Sequence, residues 1–495
     1  MKVKSSKYYT LLHKVMPCLV IALIAFICIH AGWGLKADLG GDATQNFLSS
    51  YNFYSSFEYG HHIGQAGFRR EPLPNWTLAV FLWLFFRPTT GLDRDEVLAN
   101  TNILDAAVSV NIFWALLLFI GLWALARQIF ANILLADFVA FVSIAMSNMA
   151  FVRSEYESLN TELAASALLV LVAVSLINAV NQRTILAYFA VGFSYGLLVL
   201  TKASGAYIAF MTMPLIALVL AKTHSVIRYK LIAKFLTTLL CIALGFSLII
   251  SPWILRNYFE FGKAAIAEGG GRVLWIRAEF NKITPYEFLG AFYAYSPKLL
   301  RESLWQPYSG FNADQLECGG NLQLHNRGQD CDFEHLQAER FDQVISLYER
   351  GKKALPSKAK SEAVKSGLRF NVDESGKQEF FLTVREKPLH HLLLTVPLAW
   401  RGIWSFSFLG YPGLFFNFLI MINLIFMPLI ALVVRNNILL LTSLVPAAYF
   451  WFYALLSQFW PRFAEPFIPI ATLIFCYTAT TVVRRFAVKS SFGLS

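Results

Sequence analysis

The sequence predicts an all-α integral membrane protein: a polytopic bundle of about ten transmembrane helices, with interfacial helices and a soluble loop domain on the outer face. Three observations carry this. The chain of 495 residues is 56% hydrophobic and only 15% charged, against roughly 45–50% and about 25% in soluble domains. Apolar runs of about 20 residues recur along it, the length a helix rising 1.5 Å per residue needs to cross about 30 Å of hydrocarbon. Its basic residues gather beside the ends of those runs, which is how Lys and Arg orient membrane helices.

The first run, 15–35, follows Lys2, Lys4, Lys7 and Lys14. It is longer than a signal-peptide core and lacks a small-residue cleavage site, so it reads as a retained helix. Runs 103–126, 131–151, 160–180, 184–201, 203–222, 231–254, 411–434, 437–457 and 464–484 follow. Two shorter runs, 78–86 and 392–404, read as interfacial helices. Counting them as spans would place Lys222, Arg228, Lys230 and Lys234 outside. With them in the interface, both termini are cytoplasmic, together with Arg127, Arg183, Arg435 and the tail residues Arg484, Arg485 and Lys489.

Three segments result: 1–255, a transmembrane module with a first outer loop at 36–102; 256–388, an extracytoplasmic loop domain; and 389–495, an interfacial helix followed by the last transmembrane helices. Within the loop domain, 333–350 and 357–370 are rich in Glu, Lys, Ala and Leu and predict helices separated by Pro356. The formal charge of +11 is accounted for by orientation in the membrane. The basic residues form no single face, which excludes nucleic acid as a partner. Cys18, Cys28, Cys241 and Cys476 lie in apolar runs as packing residues. Cys318 and Cys331 flank a Gly-rich turn in the outer loop, where two thiols in an oxidising compartment pair. Two free thiols, or a metal site with His325 and His335, are the alternatives, and the spacing fits no zinc pattern well.

The residue types that carry chemistry sit at the outer ends of the runs. Asp42, just beyond the first helix, could deprotonate an acceptor hydroxyl at the membrane surface; equally, Asp38 or Asp42 could cap the next helix. Arg69 and Arg70 read either as snorkelling residues or as phosphate ligands. Arg70, Lys202, Arg256 and Arg462 come to one face from distant parts of the chain, and guanidinium forks suit phosphate oxygens. Glu155, Glu157 and Glu162 could orient sugar hydroxyls or hold a divalent cation, or belong to a solvated turn. Glu162, at the mouth of a span, is the better placed. Arg462 lies in a turn with Pro461 and Pro466, which is itself sufficient to explain that segment.

The order of these pieces resembles the GT-C glycosyltransferases of the protein O-mannosyltransferase and aminoarabinose-transferase type. The matching pieces are Gly41-Asp42, Arg70-Glu71-Pro72-Leu73-Pro74, Thr161-Glu162 and Tyr195 to Lys202. Pro252-Trp253 with Arg256-Asn257-Tyr258 and Phe261-Gly262, then Arg462-Phe463 with Pro466 and Pro469, continue the series over about residues 12–485. The resemblance implies a GT-C-like bundle and transfer of a sugar from a polyprenyl-phosphate donor on the extracytoplasmic face of a bacterial plasma membrane. It implies Asp42 as the residue acting on the acceptor, and Arg70, Arg256 and Arg462 as the donor-phosphate cations, which Lys202 joins by its place on the same face. Asp38, Glu71, Glu162 and Asn257 would orient substrate. The acceptor, whether protein, lipid or glycan, is left open. This chain departs from the pattern at Asp38, which stands four residues before Asp42 rather than beside the catalytic acid, and in the segment with Cys318 and Cys331. The rival readings are a polymerase or ligase of lipid-linked glycans and a lipid-sugar transporter. A transporter predicts ionisable residues at the bilayer midplane, whereas these spans are nearly uncharged.

Overall fold

The computed structural model describes residues 7–151, 153–222, 228–366, 370–405 and 410–492. Lys2, Lys4 and the side chains of Arg228, Arg484, Arg485 and Lys489, on which the expected orientation also draws, lie outside the described residues. Among the described residues the secondary structure is helical, with a single isolated bridge between His62 and Gln65. Nine helices there are long and apolar enough to cross a membrane: Leu12–Gly32, Thr101–Ile129, Ile133–Ala150, Glu162–Gln182, Gly205–Lys222, Lys230–Phe261, Gly410–Val433, Asn437–Leu456 and Pro461–Val483. The chain is a multi-pass membrane protein.

The run 184–201 differs from the other expected spans. Its helix, Ile185–Val199, has 15 residues, fewer than the roughly 20 that a crossing takes. Thr184 caps its start, its side chain accepting from the Ala187 N–H at 3.2 Å. At the other end the N–H groups of Thr201 and Lys202 both turn back to the Leu198 carbonyl. What this helix lacks in length it recovers in close packing. A Cβ on Gly192 would stand 1.8 Å from the Ile242 carbonyl oxygen, and one on Gly245 would stand 2.2 Å from that of Phe189. Two backbones therefore meet without side chains between them, the small-residue packing that joins helices where apolar burial alone gives no preference for a partner.

The chain divides into two compact units: residues 1–267 with 420–448 and 465–495, and residues 268–419 with 449–464. The first holds most of the long apolar helices. Its 72–86 segment is the helix Pro72–Phe81 continued by a wider π-turn, Leu82–Phe86, that leaves Trp83, Leu84 and Phe85 exposed.

In the second unit the expected helix over 333–350 is broken into pieces: Asp330–Gln337, Phe341–Gln343 and Leu347–Glu349. The cause is local. Asp332, fully buried, accepts the backbone N–H groups of Ile345 at 2.7 Å and Ser346 at 3.2 Å, which folds the strand of chain back on the helix. Glu339 takes a left-handed conformation at the break. Pro356 does not separate two helices; it stands in the first turn of Leu355–Lys365, where its missing N–H costs no bond. Helix Pro388–Ile403 is amphipathic. Leu389, Leu392, Leu393 and Val396 are exposed, while His391, Leu394, Leu398 and Arg401 are buried. Cys318 and Cys331 are disulfide-bonded, with Cα atoms 6.2 Å apart.

The expected orientation makes a direct prediction. In intact cells Lys353→Cys should react with a membrane-impermeant maleimide and Lys222→Cys should not. Labelling of Lys222→Cys from outside would reverse the topology.

Candidate functional site

The helix Asp42–Ser56 begins after Gly41, whose φ of 52° is a conformation open to glycine and strained for other residues. Gly41 occupies the capping position, so Asp42 is the first helical residue and not the cap. The Asp42 carboxylate pairs with the Arg70 guanidinium through Nη2. Arg70 also donates from Nε to Gln45 Oε1 at 2.9 Å, one turn along the same helix. Asp42 keeps half of its side-chain surface open, and Arg70 is mostly covered.

Arg256, near the end of the long helix Arg228–Phe261, binds the same part of the chain. Its Nη1 donates to the Gly67 carbonyl and to Asn257 Oδ1, each at 2.9 Å, and its Nη2 pairs with Glu260 at 2.7 Å. The Trp253 and Phe261 rings flank its guanidinium at 4.9 and 5.1 Å. Asn257 is fully buried and donates to the Ala265 carbonyl at 2.8 Å, and Trp253 donates to the Ile266 carbonyl at 2.8 Å. Together they fix the turn that leaves the helix.

Between Arg70 and Arg256 stands Tyr59, buried against Trp253 with ring centroids 4.8 Å apart. Its hydroxyl donates toward the carbonyls of Arg70 at 3.0 Å and Glu71 at 2.9 Å, and accepts from Asn75 at 2.6 Å. Burial raises the Tyr59 pKa far above the usual phenol range, partly offset by the Asn75 hydrogen bond. It is a neutral strut, not an acid. The turn beyond it is held by Asn52, fully buried, which donates to the carbonyls of Gly60, His62 and Gln65, each at 3.2 Å. Only glycine fits at position 60, where a Cβ would meet the Gln65 carbonyl oxygen at 2.2 Å.

The chain from Glu71 onward docks on the turn after the short helix. Glu71 Oε1 accepts from the Ala203 N–H at 3.2 Å, and the Leu73 N–H donates to the Leu200 carbonyl at 3.1 Å. Next to that contact Lys202 pairs with Glu162 at 3.1 Å. Glu162, 1% exposed, opens helix Glu162–Gln182 and lies where the helix dipole favours negative charge. Removing the cation from a buried pair of this kind costs about 3–5 kcal/mol. Lys202→Met should therefore lower the melting temperature markedly, and Lys202→Met with Glu162→Gln should recover part of the loss. Wild-type melting of the single variant would mean the pair carries no stability.

Asp42, Arg70, Glu71, Glu162, Lys202, Arg256 and Asn257 are thus linked within the first unit, directly or through one intervening stretch of backbone. Asp38 is exposed, and its backbone N–H donates to the Glu157 carbonyl at 2.9 Å. Arg462 belongs to the second unit, its guanidinium 6.0 Å from the Phe463 ring. Among the described residues no three His, Cys, Asp or Glu side chains come together to hold a metal ion. Sequence reasoning did not single out Tyr59, Gln45, Asn52 or Glu260. Of these only Tyr59 and Asn52 left a signal, as polar residues ahead of Gly60 where a helical pattern ends.

No protein-family model and no curated protein matches the chain. Among solved structures it is similar to the oligosaccharyltransferase AglB from Archaeoglobus fulgidus, in complex with an inhibitory peptide and a dolichol-phosphate. That match has a TM-score of 0.48 and 14% identity, over 99% of this chain and 52% of that one. The chain thus spans about half the length of the archaeal protein. It is also similar to ArnT from Cupriavidus metallidurans bound to undecaprenyl phosphate, with a TM-score of 0.35 and 11% identity, over 93% of this chain and 77% of that one.

Proposed function

We propose that this protein is a membrane glycosyltransferase that moves a sugar from a polyprenyl-phosphate donor to an acceptor hydroxyl at the extracytoplasmic face. The observation that carries this reading is the meeting of one accessible carboxylate, Asp42, with cations from distant segments around a single length of chain, residues 59–73. Asp42 takes the proton from the acceptor hydroxyl. The hydroxyl oxygen then forms a bond to the anomeric carbon while the bond from that carbon to the phosphate oxygen breaks, and polyprenyl phosphate leaves with the electron pair. Such a leaving group needs no strong acid if cations meet its developing charge. Arg70, Lys202 and Arg256 are the candidates, and Glu71, Glu162 and Asn257 hold the surrounding chain in place. Arg462 is assigned to the donor phosphate by sequence resemblance alone, and an Arg462→Ala protein tests it separately.

On this reading the protein lies in a bacterial plasma membrane with both termini in the cytoplasm. The test is to supply purified protein, in lipid nanodiscs, with radiolabelled polyprenyl-phosphate sugars and candidate acceptors. Release of polyprenyl phosphate coupled to labelling of an acceptor is the expected result. Movement of intact donor across the bilayer without bond cleavage would replace the reading with transport.

A further inference from the structure

The second unit contains a cationic arrangement that the transfer reaction leaves unused. Arg401, on helix Pro388–Ile403, has its guanidinium carbon 3.4 Å from the centre of the Trp460 ring, and Arg327 has its own 3.9 Å from the same ring. Two guanidinium groups that close to one centroid would collide on a single face, and neither fits in the ring plane. They therefore occupy opposite faces of the indole. Arg327 is exposed, whereas Arg401 is 6% exposed.

Among the described residues neither arginine pairs with a carboxylate. Arg401 makes one hydrogen bond among the described residues, from Nη1 to the Gln458 carbonyl at 3.3 Å, although a guanidinium has five N–H donors. Its Nε and Nη2 have no acceptor among the described residues. The Trp460 Nε1–H, at the edge of the same ring, is buried without an acceptor among the described residues. Tyr295 and Tyr348 stack around the pair, with Arg401 4.4 Å from the Tyr295 ring and Arg327 5.4 Å from that of Tyr348. Burial first, and then the Arg327 charge, lower the Arg401 pKa to about 10, still well inside the cationic range. Two like charges held across one ring, with donors unanswered, are an arrangement that a doubly charged anion completes.

We propose that Arg401, Trp460 and Arg327 form a binding site for a phosphate monoester or diphosphate group. A phosphate monoester carries about −1.5 to −2 charge at neutral pH, which matches two arginines better than a carboxylate does, and its oxygens accept from guanidinium forks. The disulfide adds a structural reason for the loop that carries Arg327. Cys318 and Cys331 close the segment holding this arginine, and Gln323, nearly fully buried, donates to Cys331 Sγ at 3.1 Å and accepts from the Gly319 N–H at 2.7 Å. The same phosphate chemistry is offered by free phosphate and by the headgroup of a prenyl phosphate.

Equilibrium binding of inorganic phosphate and of a water-soluble short-chain prenyl phosphate to the purified full chain tests the site. The background is Arg70→Ala with Arg256→Ala, which removes the two first-unit arginines that are candidates for phosphate and leaves Lys202 to its partner Glu162. Arg327→Ala and Arg401→Gln should each weaken binding by roughly ten-fold or more, the loss of one charge-assisted hydrogen bond, and Arg327→Lys should recover part of it. Equal loss for both probes identifies a free-phosphate site, and loss for the prenyl phosphate alone identifies a lipid headgroup site. Unchanged affinity for both probes in Arg327→Ala, whose exposed side chain can be removed without opening the core, overturns the proposal. So does the absence of any binding by the parent protein. The measurement involves no turnover, so the site can hold even if the transfer reading fails.

Discussion

Asp42→Asn protein should bind a polyprenyl-phosphate sugar as the wild type does and turn it over about 10²–10⁴-fold more slowly, the usual loss when a general base is removed. The substitution is nearly isosteric. It leaves an amide oxygen for the Arg70 Nη2 donor, so the Arg70 contact to Gln45 and the start of helix Asp42–Ser56 have no reason to move. What changes is the basicity of the side chain and the charge it sets against Arg70. Single-turnover measurement with labelled donor, alongside a direct binding assay, separates the two steps. Normal turnover in membrane-inserted protein would reduce Asp42 to an ion-pair partner of Arg70. The base would then have to be sought at Asp38 or Glu162.

Arg256→Ala should behave in the opposite way, with donor affinity falling while the chemical step on bound donor is less affected. A charged hydrogen bond to phosphate is worth about 1.5–3 kcal/mol, or roughly ten-fold to over a hundred-fold in affinity. A second loss accompanies it. Arg256 ties the Gly67 carbonyl and Glu260 together, so the 59–67 segment should become more accessible to protease. Arg256→Lys discriminates the contributions, because an ammonium restores charge but not the fork that spans two acceptors. Donor affinity in Arg256→Ala equal to that of wild type would leave Arg256 with the second role only.

Much of this arrangement was legible in the sequence. Long apolar runs and the placement of lysines and arginines depend on composition over windows of about 20 residues, and those windows hold in the structure at nine places. The grouping of Asp42, Arg70, Lys202 and Arg256 could be read from their common position at the ends of spans. Their partners could not. Arg256 is satisfied in part by a backbone carbonyl, Gly67, which leaves no residue-type signature. Tyr59 and Asn52 act on carbonyls as well. The break in 333–350 escaped for a related reason: Asp332 reads as an ordinary surface acid, and only its burial makes it a clamp on Ile345 and Ser346.

The helix Ile185–Val199 carries a consequence for the surrounding lipid. Its 15 residues rise about 22 Å at 1.5 Å each, while the hydrocarbon is about 30 Å thick. If Arg183, just before it, stays at the cytoplasmic headgroups, the turn that carries Lys202 and meets Glu71 and Glu162 ends several ångströms below the opposite headgroup plane. A bilayer accommodates such mismatch by thinning locally. A prenyl phosphate approaching along the outer leaflet would then find the headgroup layer dipping toward Lys202, so its phosphate could reach the cations while its chain stays among the other acyl chains. Bilayers of longer acyl chains should make that dip more costly and slow the reaction, with no residue changed.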